Sequence, residues 1–257
     1  MTAVDPVRYS RHVALPQVGP EGQRRLEVSS ALVVGLGGLG SVASLYLANA
    51  GVGNLVINDF DRVDATNLPR QVLFQATDVG EFKTHATAAR LRAANPAPYV
   101  SVLNRRLDPD EMRDAVAACQ VVLDCTDNFA TRLTLNTACV AARRPLVSGA
   151  AIRFEGQVAV FPNDGAGSPC YRCLYSDEDE NFANCAGQGI LAPVAGTVGT
   201  LLATEALKIL LGLGSGLRNH LWVYDALSGA TRLVAIRREP SCPVCGVVGG
   251  SGGPAAP

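Results

Sequence analysis

Short apolar runs alternate with longer mixed segments through the first 150 residues of the chain. The apolar runs have the length of buried strands and lie at 31–35, 54–59, 99–104, 120–124 and 145–150. The mixed segments between them are typical of helices and lie at 39–51, 82–94, 108–118 and 128–143. Strands that alternate with helices in this way predict an α/β fold with a Rossmann-like, doubly wound, mostly parallel sheet.

The pattern of apolar and polar residues changes in the second half of the chain. Runs at 154–161, 221–224 and 231–236 read as strands, and we expect them to add to the sheet in antiparallel orientation. Residues 5–30 are predicted to be helical. The segment 190–213 is apolar enough to span a bilayer, but it contains two charged residues, and Gly and Pro crowd its first half. We therefore predict a buried loop and helix there, and no membrane partner.

Composition narrows the class of protein. The formal net charge of −1 leaves no basic excess, so we predict no nucleic-acid partner. The start of the chain lacks the apolar core of a signal peptide, so we predict a cytoplasmic location. Since disulfides are rare in the cytoplasm, we do not expect the eight cysteines of the chain to form a disulfide framework. Cys119, Cys125 and Cys139 fall in strand or helix patterns and are predicted to be inert core, and the three histidines form no cluster.

A glycine-rich sequence follows the first predicted strand. Gly35, Gly37 and Gly40 stand at G-x-G-x-x-G spacing, and Gly38 lies between them. Such glycines allow a tight turn, close approach of the backbone to a phosphate, and packing of the next helix, whose N-terminus favours an anion. Asp59 ends the following strand, about where a ribose-binding acid belongs. The pattern predicts a nucleotide site without choosing the nucleotide.

Four polar residues favour a triphosphate over a hydride-transfer cofactor: Asn67, Arg70, Lys83 and Asp127. Positive charge beside the turn suits attack on an α-phosphate and departure of pyrophosphate. A carboxylate at the carboxyl edge of the sheet can hold Mg²⁺ between phosphates. Taken singly, Arg70 or Lys83 could be a solvated surface charge, and Asp127 could simply cap the helix that follows. The chain has no G-x-x-x-x-G-K-S/T motif, so it is not a P-loop enzyme.

Two Cys-x-x-Cys pairs give the strongest metal signal. They are Cys170 with Cys173 and Cys242 with Cys245. Each pair can place two thiolates on one ion, and two pairs complete a tetrahedral four-thiolate site with no open position. The sequence therefore predicts a structural Zn²⁺ that joins distant segments, and two redox pairs are the alternative.

Together these motifs resemble the ThiF/MoeB/HesA family of adenylyltransferases, relatives of the ubiquitin-activating enzymes. GLGGLG, NLPRQ, Lys83, DCTDN and the two cysteine pairs occur in the family's order, from RYSRH at 8–12 to CPVCG at 242–246. One departure is Pro69, where the family pattern leads us to expect Gln. The resemblance implies that ATP and Mg²⁺ are used to adenylate the C-terminal Gly-Gly carboxylate of a small ubiquitin-like sulfur-carrier protein, forming acyl-AMP and releasing pyrophosphate.

The resemblance also implies roles for individual residues. Two acids would hold the ribose or lie close to it, and three residues would grip the phosphates: Asp59 and Asp61, then Asn67, Arg70 and Lys83. Asp127 would bind the magnesium ion. Arg11 matches an arginine that reaches into the partner subunit's nucleotide site in family dimers, which implies a homodimer.

Cys185 has two possible roles. It follows a polar, acidic stretch at 176–184 that is predicted to be a mobile loop. A thiol there could attack an acyl-adenylate or accept sulfur. In ThiF-like members the matching cysteine forms a covalent link to the carrier, whereas MoeB-like members do not require it. No Lys or His lies beside Cys185 to activate it, so a passive thiol stays open.

The substrate is less specified than the reaction. NCAGQG and REPSCPVCG slightly favour the thiamine-pathway carrier over the carrier of molybdopterin synthase. An NAD-dependent oxidoreductase is the alternative enzyme class, which Arg70, Lys83 and Asp127 oppose. A relative that adenylates RNA or a peptide antibiotic would share the nucleotide site. We expect a separate sulfur donor protein, because the chain shows no sulfurtransferase domain.

These predictions give one ThiF-type adenylyltransferase domain over residues 1–248. In it, 1–30 is an N-terminal helical segment, 31–150 is the nucleotide-binding half, and 151–248 holds the carrier and the zinc. Residues 249–257 are predicted to be a flexible tail.

Overall fold

The computed structural model describes residues 5–165, 167–175 and 189–246. Its strands are β1 (Ser30–Val34), β2 (Asn54–Asn58), β3 (Tyr99–Leu103), β4 (Val121–Asp124), β5 (Leu146–Ile152), β6 (Glu155–Phe161), β7 (His220–Asp225) and β8 (Ala230–Ala235). Its α-helices are α1 (Ser10–Val13), α2 (Gly19–Glu27), α3 (Gly40–Asn49), α4 (Lys83–Ala94), α5 (Pro109–Ala117), α6 (Phe129–Ala142), α7 (Tyr171–Leu174) and α8 (Ala192–Leu210). The bounds of the strands and of α3 to α6 differ from the predicted ones by two residues at most.

One eight-stranded sheet runs through both halves of the chain, in the order β3-β2-β1-β4-β5-β6-β7-β8. The strands from β3 to β5 pair in parallel, and β6, β7 and β8 extend the sheet in antiparallel orientation. This confirms the predicted doubly wound sheet and its antiparallel C-terminal strands. The strand order reverses at β1, between β2 and β4, and ligands of such folds bind in the crevice at that point.

Helices cover both faces of the sheet, and successive side chains of β1 pack against helices on opposite faces. Ala31 and Val33 face a core formed with α3, α4 and α8, whereas Leu32 and Val34 face a core formed with α5 and α6. The four side chains are buried, as expected for a parallel strand that is covered on both sides.

Helix α8 accounts for the apolar segment at 190–213. It packs against α3, β5 and β6. It is the one helix in the described ranges that is long and apolar enough to cross a membrane, and about 50% of its most apolar window is buried inside the fold. Glu205, which is buried, pairs with Lys208 at 2.7 Å and accepts a hydrogen bond from Ser215 at 2.6 Å. The predicted buried helix is therefore confirmed as a core helix of this fold.

Candidate functional site

A cavity of about 990 Å³ opens at the carboxyl ends of β1, β2 and β4. This is the crevice where the strand order reverses. Most of the residues predicted to bind the nucleotide line it: Gly35, Gly37, Gly38, Asp59, Asp61, Asn67, Arg70, Lys83 and Asp127. The fold thus brings together residues that are separated by more than 90 positions in the sequence.

The glycines of the turn differ in what they do. Gly35 has φ +87°, and a Cβ there would lie 2.8 Å from the carbonyl oxygen of Cys125. A Cβ on Gly40 would collide with the carbonyl oxygen of Gly35, so the start of α3 can approach β1 only with glycine at that position. A Cβ on Gly37 would meet nothing nearer than Gln71 Nε2 at 3.7 Å. Gly35 and Gly40 shape the turn, and Gly37 leaves space for a ligand on the cavity side.

Asp59 holds the glycine turn against the end of β2. Its Oδ2 accepts the N–H of Leu36 at 2.7 Å, and its Oδ1 accepts the N–H of Asp61 at 2.8 Å. Burial raises the pKa of Asp59, whereas the nearby Lys83 ammonium and the two N–H groups favour its ionised form. Each oxygen keeps a second acceptor position, so the carboxylate can also receive a ribose hydroxyl. The sequence indicates Asp59 as a ribose ligand, but it does not reveal the hydrogen bond of Asp59 to the glycine turn.

Lys83 begins α4, and its buried side chain reaches the cavity wall. Its Nζ lies 3.0 Å from Oδ2 of Asp61, whose side chain is 54% exposed. An entering phosphate would compete with a half-exposed carboxylate for a positioned ammonium group. The structure therefore presents Lys83 as a cation already fixed in place.

Asn67 is the last residue of the short 3₁₀ helix Ala65–Asn67, and Arg70 lies in the tight turn that follows it. The carbonyl oxygen of Asn67 accepts the N–H groups of Arg70 at 3.1 Å and Gln71 at 2.9 Å. Arg70 Nη1 donates to the carbonyl oxygen of Thr66 at 3.0 Å. These bonds hold both predicted phosphate ligands at the rim of the cavity. Pro69 also lines the cavity, and the turn forms these backbone bonds with proline in place of the expected Gln.

Asp127 is exposed at the end of the turn that follows β4. The cap of α6 is Asn128, whose Oδ1 accepts the N–H of Thr131 at 2.9 Å. The alternative reading of Asp127 as the helix cap is therefore wrong. No hydrogen bond or ion pair involves its carboxylate within residues 5–165, 167–175 and 189–246, which leaves it available to a cation at the cavity.

A buried ion pair, which the sequence did not reveal, lies beneath the turn that bears Asp127. Asp124 Oδ1 accepts the N–H and the hydroxyl of Thr126 at 3.1 and 2.7 Å, and Oδ2 accepts the hydroxyl of Ser148 at 2.9 Å. Arg132 Nη1 lies 3.8 Å from Oδ2, and its Nη2 donates to the carbonyl oxygens of Thr126 and Gly149. Desolvation is the largest single influence on the pKa of Arg132 and lowers it, but the Asp124 carboxylate, together with Tyr171 and Tyr175, raises the pKa of the guanidinium by more.

Arg11 and His85 lie away from the described lining of the cavity. Arg11 is exposed on α1 and is not among the described residues that line the cavity of its own chain. His85 is exposed and stacks edge-on against Phe82, with ring centroids 5.6 Å apart. Cys185 lies outside the described residues. The next described residue after this gap is Gly189, which lines the cavity.

The four predicted metal ligands come together beside α7, which Cys170 directly precedes and which contains Cys173. All four sulfur atoms lie within 4.8 Å of one another, with 3.8 Å from Cys170 to Cys242 and 3.4 Å from Cys173 to Cys245. Four thiolates at about 2.3 Å from a tetrahedral ion stand about 3.8 Å apart, so this donor set fits Zn²⁺. The spacing confirms that both pairs form one cluster.

The other described cysteines are buried in the core, as predicted. Cys119 and Cys139 are fully enclosed, and Cys125 lies under the glycine turn. Burial raises the pKa of Cys119 to about 11 and raises the pKa values of Cys125 and Cys139 further. Such thiols are weak nucleophiles near neutral pH.

Solved structures share this fold. Escherichia coli MccB in complex with ATP superposes with a TM-score of 0.81 at 24% identity, over 93% of this chain and 73% of that one. At this identity the likeness concerns the architecture alone.

Curated relatives are closer in sequence. The chain is 46% identical over 244 residues to the sulfur carrier protein adenylyltransferase of Thermus thermophilus, covering 93% of this chain and 90% of the relative. It is 44% identical to the sulfur carrier protein ThiS adenylyltransferase of Escherichia coli, covering 94% and 96%. The molybdopterin-synthase adenylyltransferase of that organism is 45% identical, covering 93% and 96%. The model of the ThiF family matches residues 9–244, and the chain belongs to this family, as its motifs predicted.

Proposed function

We propose that this chain is an ATP-dependent adenylyltransferase that acts on a small ubiquitin-like sulfur-carrier protein. The observation that carries the proposal is the cavity at the strand reversal, where Arg70, Lys83 and Asp127 surround a glycine turn with open space at Gly37. The activities named for the relatives at 44–46% identity support the same reaction. The three charges around the cavity argue against the alternative of a hydride-transfer enzyme.

The reaction needs charge neutralisation rather than a general base. The C-terminal carboxylate of a Gly-Gly tail is ionised near neutral pH, so one of its oxygens can attack the α-phosphorus directly. A bond from this oxygen to phosphorus forms while the bond to the bridging oxygen breaks, and pyrophosphate leaves with the electron pair. Lys83, released from Asp61, and Arg70 would neutralise charge on the phosphates.

The nucleotide would be held by the residues around the turn. Asp59 would accept a ribose hydroxyl beside its bonds to the turn, with Asp61 nearby, and Asn67 would add a polar contact to the phosphates. Asp127 would hold Mg²⁺, and the ion would offset the negative charge of the phosphates. Orientation and preorganised charge would supply most of the rate enhancement.

The cysteine cluster would hold a structural Zn²⁺. Its four thiolates leave no open coordination position, and the cluster lies outside the residues that line the cavity. The seven cysteines in the described part of the chain are free, which supports a cytoplasmic location.

The thiamine-pathway carrier remains the proposed substrate, with the molybdopterin-synthase carrier as the second candidate. Similar identities to the two Escherichia coli enzymes, 44% and 45%, support both. A separate sulfur donor protein is the proposed second partner, and Cys185 is the candidate for a covalent link to the carrier.

Intact-mass spectrometry tests this function. The protein is mixed with ATP, Mg²⁺ and each carrier in turn, and we expect one carrier to gain the mass of one AMP. The tail-deleted form of that carrier is the control and should gain nothing. AMP on neither carrier, from a protein that binds ATP, would contradict the carrier assignment.

We also propose a homodimer in which Arg11 completes the nucleotide site of the partner subunit. Mixing Arg11→Ala with Asp127→Ala chains should restore about one working site per heterodimer, because the Arg11→Ala chain receives an intact Arg11 from its partner. The measurement is adenylation by purified heterodimers, with each homodimer as its control. Absence of rescue in heterodimers of confirmed composition would show that Arg11 does not act across the interface.

A further inference from the structure

Asn136 is a buried polar residue of α6 that the proposed reaction does not use. Its side chain is fully enclosed, in a part of the helix where Leu135, Ala138 and Cys139 are buried in the apolar core. A primary amide in such a place costs free energy unless its oxygen and its nitrogen both find hydrogen-bond partners. The partners of the amide therefore indicate what the residue does.

Both ends of the amide contact the first cysteine pair. Its Oδ1 accepts the N–H of Tyr171 at 2.9 Å, and its Nδ2 donates to Cys170 Sγ at 3.6 Å. Tyr171 is the first residue of α7, and Cys170 directly precedes it. One side chain of α6 thus holds the start of α7 and one of the four sulfur atoms in a fixed relation.

The neighbours of the amide determine its orientation. A backbone N–H can only donate, so the atom of Asn136 that faces Tyr171 must be the oxygen. The nitrogen then faces Cys170 Sγ, and the flipped amide would set one N–H group against another. The donor to the sulfur atom is therefore assigned by the hydrogen bonds themselves.

Burial explains why the sulfur of Cys170 needs a donor. Its residue is 1% exposed, against 6% for Cys242, and the other two cysteines of the cluster are half-buried. A divalent cation cancels only half of the charge of four thiolates. Since water does not reach Cys170, groups of the protein must stabilise the negative charge that stays on its sulfur.

We propose that Asn136 is a positioning residue of the cysteine cluster, whose Nδ2 donates to the Cys170 thiolate and thereby strengthens the binding of Zn²⁺. The bond stabilises the ionised form of the ligand, and the contact with Tyr171 keeps this ligand in place before the ion arrives. Loss of such an outer hydrogen bond usually lowers metal affinity by about 10–100-fold. The inference rests on the proposed function in one respect, since it takes the cluster to be a zinc site.

Asn136→Leu tests the proposal, because leucine has a similar size and offers neither a donor nor an acceptor. We expect the affinity for Zn²⁺, measured by chelator competition, to fall by about 10–100-fold. With Co²⁺ in place of Zn²⁺, the thiolate-to-metal charge-transfer absorption should move to lower energy. A thiolate that accepts no hydrogen bond gives up its electrons more readily, and a loss of packing alone would not produce this shift.

Asn95→Leu is the matched control. Asn95 is 1% exposed, its Nδ2 donates to the carbonyl oxygen of Ala48 at 2.7 Å, and its Oδ1 accepts the N–H of Ala97 at 3.2 Å. The control therefore also removes a buried donor and an acceptor of a backbone N–H, but outside the cysteine cluster. It should keep the wild-type zinc affinity and absorption. Equal loss of zinc affinity in both variants, or an unshifted absorption in Asn136→Leu, would overturn the proposal.

NMR of the wild-type protein loaded with spin-active cadmium tests the bond without any variant that must fold. We expect one side-chain amide proton of Asn136 to show scalar coupling to the ion through Cys170 Sγ. Absence of this coupling in the cadmium-loaded protein would overturn the hydrogen bond and leave the zinc site standing. A wild-type protein that binds neither Zn²⁺ nor Cd²⁺ at the cluster would contradict both.

Discussion

Replacing Asp127 by asparagine is expected to lower the rate of ATP–pyrophosphate exchange by about 10²–10³-fold, a loss like that from removing one preorganised group that stabilises transition-state charge. The carboxylate is the exposed acid at the end of the β4 turn, and we propose that it holds Mg²⁺ there. Asparagine has the same shape but no charge. Since Asp127 makes no hydrogen bond or ion pair in the described part of the chain, the free energy of unfolding should change by no more than about 0.5 kcal/mol.

Asp114→Asn is the matched control for this variant. Asp114 is an exposed carboxylate on α5 and is not among the described residues that line the cavity. It should keep the wild-type exchange rate. An Asp127→Asn enzyme that exchanges as fast as this control would remove Asp127 from the site.

The second large effect is expected from Cys242→Ser. Cys242 is a buried member of the four-sulfur cluster, and a serine hydroxyl is a poor replacement for a thiolate ligand. We expect the variant to lose its bound zinc and to unfold several kcal/mol more easily, because metal binding of this kind contributes directly to folding. Metal content per chain and denaturant unfolding measure the two effects.

Cys139→Ser separates metal loss from the cost of a buried hydroxyl. Cys139 is fully buried on α6 and lies outside the cluster. This variant should lose about 1–3 kcal/mol of stability and keep its zinc. A wild-type protein that is folded and active without bound metal would show that the cluster is not a structural zinc site.

Much of the fold follows from local pattern. Strands such as β1 are continuous apolar runs because the sheet is covered on both faces, so their length and spacing are visible in the sequence. The glycine spacing likewise predicts the turn, since Gly35 and Gly40 are positions where a Cβ would collide with backbone. Residues whose role depends on their own segment could therefore be found.

Residues whose role depends on a neighbouring strand could not be found from the sequence. Asp124 meets Ser148 only because β4 pairs with β5, and Arg132 meets the Gly149 carbonyl for the same reason. The bond from Asp59 to Leu36 likewise depends on the pairing of β1 with β2. No spacing along the chain reveals such contacts, so the network under the Asp127 turn appears only in three dimensions.

ATP–pyrophosphate exchange, measured with each candidate carrier and with its tail-deleted form, tests the central claim most directly. Exchange reports reversible formation of the acyl-adenylate, so it requires the nucleotide site and the Gly-Gly carboxylate together. The account predicts exchange with one intact carrier and none with its truncated form. Exchange that is independent of the tail, or absent with every intact carrier, would contradict the claim that this chain adenylates a sulfur carrier.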